Sequence, residues 1–66
     1  MQSFQQRVVD EKRELDERLS KLSAFWDNPL FQKLPEAERE RLERQWRIMT
    51  EYSHILGERI AAFTLE

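Results

Sequence analysis

No glycine or proline interrupts the chain from Gln2 to Trp26, and the residues there are mostly Glu, Lys, Arg, Gln and Leu. Such residues lose little side-chain freedom in a helix, so an unbroken stretch of them dictates a long α-helix. Ser3 with Gln6 reads as a capping box at its start. Phe4, Val8, Leu15, Leu19, Leu22 and Trp26 recur at steps of three, four and seven, which draws one apolar stripe along it. Glu14 with Arg18 and Glu17 with Lys21 stand one turn apart as acid-to-base pairs on the outer surface. Pro29 ends the run by disfavouring helical geometry at Asn28.

A second helix is expected to start at Pro35, whose missing N–H costs nothing in a first turn. Glu36, Glu38 and Glu40 then place negative charge at the positive end of its dipole. Its stripe runs Leu42, Trp46, Met49, Leu56, Ile60 and Phe63, and Gly57 is its one weak helix former. Residues 27–34 form the connecting loop, in which Leu30, Phe31 and Leu34 fold back to plug the closed end. Residues 64–66 are expected to fray. The expectation is an all-α, two-helix antiparallel hairpin, about 3–26 and 35–63, within one domain over 1–66.

Two such rods touch along a single seam. A chain of 66 residues without cysteine has no disulfide or thiolate cluster to reinforce so small a core. Beside the main stripe of the second helix runs another, made of Ile48, Tyr52, Ile55 and Ala62. Together the two stripes cover about half the circumference, more than the roughly 100° that faces one partner helix. A lone hairpin leaves much of the second stripe in water unless Phe31 and Leu34 reach over it. Exposed apolar surface of that kind marks an interface, and the expectation is a homo-oligomeric bundle.

The first helix carries the candidate binding residues. Glu11 falls between Val8 and Leu15 on the apolar stripe, and a buried carboxylate needs a partner, with Arg7 and Arg18 at helical spacing. Down the same flank come Lys21 and Phe25. A register-fixing salt bridge accounts for Glu11; so does a polar pocket at a protomer boundary, with cations for an anionic ligand and Phe25 for a planar one. Arg59, like Arg7, Arg18 and Lys21, borders an apolar stripe. Arg39, Arg41, Arg44 and Arg47 instead sit among glutamates as solvated helix pairs. Trp26 and Trp46 are read as core anchors rather than stacking platforms.

Other chemistries are weakly supported. His54 is the only histidine, so a conventional catalytic triad lacks its members, and one glycine cannot build a phosphate loop. Glu51-x-x-His54, with Glu58 one turn on, resembles a carboxylate-bridged metal motif, but it lies on the polar face. A net charge of −2 does not attract nucleic acid or anionic lipid in bulk, and acids intervene along the second helix, so DNA binding is not expected. Apolar runs are too short to span a membrane, and the first residues lack the regions of a secretory signal. The expected setting is soluble and intracellular.

Two blocks carry a resemblance: Gln6-Arg7-Val8-Val9-Asp10-Glu11-Lys12 through Lys21-Leu22-Ser23-Ala24-Phe25, and Gln45 through Met49, Tyr52, Ile55-Leu56 and Glu58-Arg59-Ile60. They resemble small phage helical-hairpin proteins grouped with the anti-CBASS and anti-Thoeris cyclic-nucleotide sponges, over nearly the whole chain from Phe4 to Phe63. The resemblance implies no enzyme and no cofactor. It implies an oligomer, commonly a hexamer in that family, that sequesters cyclic nucleotide signals between protomers in the cytoplasm of an infected bacterium. Cyclic di- or trinucleotides or cyclic ADP-ribose-type molecules are the ligands implied. Lys21 is the nearest match to the family's phosphate-contacting lysine, Phe25 or Tyr52 to its stacking aromatic, and Arg59 to a second phosphate contact. The alternative is a protein-binding adaptor or coiled-coil assembly module without a nucleotide ligand, its second stripe receiving a partner helix.

Overall fold

The computed structural model describes residues 3–63, and its fold is all-helical: α1 Ser3–Trp26, α2 Pro29–Lys33 and α3 Glu36–Phe63. Residues 64–66, expected to fray, lie outside the described residues. The contacts between α1 and α3 descend along one helix as they ascend along the other. Phe4 meets Phe63 edge to face with ring centres 6.0 Å apart. Lys12 reaches Ser53 at 3.0 Å, and the Trp46 indole N–H donates to Ser23 Oγ at 3.0 Å. The two helices therefore lie side by side in opposite directions, in a rod 49 × 15 × 14 Å.

The connection differs from the expected loop, because it contains a helix of its own. At the end of α1, Asp27 N–H donates to Ala24 O at 3.2 Å and Asn28 N–H to Phe25 O at 2.9 Å, a tightened last turn. Asn28 then turns extended, and its side-chain oxygen accepts from Leu30 N–H at 2.9 Å, capping a new helix whose first residue is Pro29. This helix stops after one turn because Leu34 precedes Pro35 and takes an extended ψ of 148°. Pro35 supplies the carbonyl that receives Glu38 N–H at 3.0 Å, so α3 starts at Glu36, one residue later than expected.

The short helix aims Phe31 inward. Its ring is buried, stacked on Trp26 at 4.9 Å and edge-on to Phe25 at 5.8 Å. Leu34 is half-buried, whereas Leu30, expected in the plug, stands exposed on the opposite side of the turn. Since Phe31 is spent on Phe25 and Trp26, the second stripe of α3 stays open: Ile48 is 67% exposed and Ile55 46%.

The seam is a single row. Val8, Leu15 and Leu56 are buried, with Leu19, Met49, Ile60 and Phe63 packed around them. A polar bridge crosses it at mid-length. Lys12 donates to Asp16 Oδ2 at 2.8 Å and to Ser53 Oγ, while the Ser53 hydroxyl donates to the other Asp16 oxygen. Gly57 lies under the lysine stem: a Cβ built there would stand 3.4 Å from Lys12 Cε, in van der Waals contact. The hydrogen bond from Lys12, then that from Ser53, holds the Asp16 carboxyl below its ordinary value, against a small opposing effect of burial.

Two predictions follow from the seam. Leu56 is fully buried, so Leu56→Ala is expected to cost about 3 kcal/mol, read by urea unfolding followed by circular dichroism. A group whose folded pKa is depressed stabilises above its unfolded value and stops doing so as pH falls through the folded one. Stability is therefore expected to hold from neutral pH down to the ordinary carboxylate range and to decline below it, and Asp16→Asn to lose part of that acid dependence in thermal melts.

Candidate functional site

The helical period sorts the rim of the seam into two sides. On one side, the Tyr52 hydroxyl donates to a Glu11 carboxylate oxygen across the two helices. Arg7, Glu11, Arg18 and Phe25 follow at four- and seven-residue steps on α1, with Lys21 beside them; Ile48, Tyr52, Ile55 and Arg59 follow on α3. On the other side lie Lys12, Asp16, Ser53 and, by the same seven-residue steps, Ser23 and Trp46.

Glu11 corrects the expectation of a buried carboxylate. It is exposed, and its partner is Tyr52 rather than Arg7 or Arg18. The reason is angular: Glu11 lies about 60° round the helix from Val8, at the edge of the stripe. The ion pair at the opposite edge, Lys12 with Asp16, lies within α1 and reaches α3 through Ser53. Arg7, Arg18, Lys21 and Arg59 are all exposed, and Tyr52 is 42% exposed. Phe25 is half-buried, its ring against Phe31.

Of these residues, the fold brings Glu11, Tyr52 and Arg59 together: Arg59 is near enough to Tyr52 to oppose the upward shift that Glu11 causes. The register set by Phe4–Phe63 and Glu11–Tyr52 puts Arg59 level with Arg7. Lys21 and Phe25 form a separate group nearer the connection. Between the level of Arg7 and that of Lys21 the rise of a helix leaves about 21 Å. One small ligand on one protomer therefore meets one group or the other, and the face between them is an open strip rather than a cavity.

Hollows lie on the other side of the seam, and none of the expected ligand residues lines the two described next. One, of about 490 Å³, is bordered by Val9, Lys12, Asp16, Ser20 and Ile60. The second, of about 500 Å³, is lined by Ser23, Trp26, Glu43 and Trp46. The tryptophans depart from the reading as core anchors: Trp46 is 37% exposed and Trp26 only half-buried. Seam space runs out toward the connection, where α2 takes the covering role. The sequence signal for this hollow was available in Trp46, which the helical period places at the edge of its stripe. Ser53 also escaped notice, since a serine among Met49, Leu56 and Ile60 reads as a gap in a pattern rather than as a contact.

The outer face of α3 carries paired charges. Arg41 binds Glu38 at 2.8 Å and Arg47 binds Glu43 at 3.0 Å, exposed pairs worth little to stability. His54 Nε2 lies 3.2 Å from Glu58 on the same outer surface, with Glu51 exposed nearby. Among the described residues no group of three or more His, Asp or Glu side chains is arranged to hold a metal ion, and no helix is long and apolar enough to cross a membrane.

Tyr52 is the only tyrosine, so its ionisation is readable by ultraviolet absorbance. Its hydrogen bond to the Glu11 carboxylate raises its pKa above the ordinary value, because ionisation would set two negative charges face to face. The titration midpoint is expected to lie above that of free tyrosine, and Glu11→Gln to bring it down. The stabilisation from this contact is present below the ordinary tyrosine pKa and is lost as pH rises through the folded one.

No curated protein and no solved structure matches the chain. One family model does, over residues 2–62, nearly the whole length, and it carries the description Sequestin. The name points to a sequestering role. Because the match spans residues 2–62 of a 66-residue chain, the chain belongs to the Sequestin family.

Proposed function

We propose that this chain is a non-enzymatic sponge that sequesters cyclic nucleotide second messengers of bacterial anti-phage defence, in pockets between protomers of a homo-oligomer. The family match over residues 2–62 carries the sequestering role. The strip beside Tyr52 supports the ligand class. Arg7, Arg18, Lys21 and Arg59 offer cations to phosphate, and Phe25 and Tyr52 offer rings to bases.

The need for a second copy follows from shape. The strip is flat, and its two cationic groups stand too far apart for one small ligand to bridge on one protomer. A ligand laid on it is enclosed only when another protomer covers it, and Ile48 and Ile55 supply apolar surface for that copy. In this arrangement the helical hairpin unit forms the wall and assembly forms the pocket. Lys21 contacts phosphate, Arg59 meets a second one, and a base stacks on Phe25 or Tyr52. Stoichiometric capture in the cytoplasm of an infected bacterium needs no catalytic group.

The test is a thermal-shift panel of cyclic di- and trinucleotides and cyclic ADP-ribose isomers, on protein whose mass is fixed by light scattering. A multimer whose melting temperature rises by several degrees with one ligand class is the expected result. Lys21→Ala is expected to weaken that ligand about tenfold while leaving the mass unchanged. A flat panel on a monomer, together with capture of a partner protein, would favour the adaptor reading instead.

A further inference from the structure

The hollow between Trp26 and Trp46 lies away from the strip just described, and it is formed within a single chain. At about 500 Å³ it has the size of a small-molecule site, for which roughly 300–1,000 Å³ is usual. Both indoles are held in place. The Trp46 N–H is tied to Ser23 Oγ at 3.0 Å, and Trp26 is stacked on Phe31 at 4.9 Å with the rings 29° apart. Neither ring swings away without losing its partner, so aromatic surface is preorganised toward solvent.

Glu43 supplies the one carboxylate of the hollow. It accepts from Arg47 at 3.0 Å, which balances its charge. A carboxylate has lone pairs for further donors. Aromatic rings beside an acceptor suit a neutral flat ring with N–H donors along one edge. Guanine carries such an edge, its ring N–H and exocyclic amine side by side. Adenine places an acceptor nitrogen there, which a carboxylate repels.

We infer that the hollow lined by Trp26, Trp46 and Glu43 is a purine-base subsite selective for guanine, with the base on the indoles and its N–H edge donating to Glu43. This rests on the reading of the chain as a nucleotide-sequestering protein and extends it: a guanine-containing signal has a place on each protomer besides the strip between protomers.

The two tryptophans of the chain both line this hollow, so intrinsic fluorescence reports on it directly. Titration of the full chain with millimolar GMP is expected to change the emission saturably, and AMP, with the same phosphate, to bind about tenfold more weakly. Glu43→Gln, at an exposed helical position, is expected to keep the fold by circular dichroism and to lose most of the preference. Equal responses to GMP and AMP, no saturable response to GMP, or an unchanged preference in Glu43→Gln would each overturn the subsite. These failures are separable from failure of the sequestering role. A thermal shift with a cyclic nucleotide but no GMP preference removes the subsite alone. A GMP preference without any cyclic-nucleotide shift keeps the base site and removes the sponge.

Discussion

The bridge from Lys12 to Asp16 and Ser53 is the contact on which the rest of the rod depends. A seam built from Val8, Leu15 and Leu56 is apolar along its length, and apolar rows slide past one another at little cost. A polar bridge does not, because a slip by one turn would carry the buried Ser53 hydroxyl away from Lys12 and Asp16, which pair with each other within α1. Gly57, weak in helix propensity, sits beneath the Lys12 stem, where a Cβ would come to van der Waals contact with it. With register fixed there, Tyr52 meets Glu11 on one side and Trp46 meets Ser23 on the other.

That narrowness also accounts for the surfaces. Two helices bury one row between them, so every residue beside the row is left at a rim. Tyr52, Ile48 and Ile55 stay open on one side, and Trp46 on the other. A larger domain would cover such residues with a further layer. Here they remain available to a ligand or a second copy. Cations beside aromatic and aliphatic rims are the chemistry that phosphate and base require.

The long helices were legible because an uninterrupted run of helix formers leaves no competing structure. α1 ends where Pro29 says it must, and the exposed second stripe followed from an apolar arc too wide for one partner. The short α2 was not legible. Five residues hold too little pattern to separate a helix from a loop, and its evidence lies in Asn28 as a cap and Leu34 before Pro35. At the rims the reading failed by angles. Glu11 and Lys12 are neighbours in sequence yet fall on opposite edges of the stripe, and only the position of α3 decides which of them meets a partner. Trp46 was placed in the core because a tryptophan at stripe spacing is usually buried. How far the seam extends toward the connection depends on α2.

The most direct test of sequestration is recovery of the ligand. Purified protein would be loaded with the cyclic nucleotide that stabilises it, freed of excess, weighed intact by native mass spectrometry and then heat-denatured, with the released molecule identified. A sponge gives an oligomer carrying ligand in fixed proportion to protomers, and it returns the nucleotide chemically unchanged. A monomer without ligand, or release of a hydrolysed product, would contradict it.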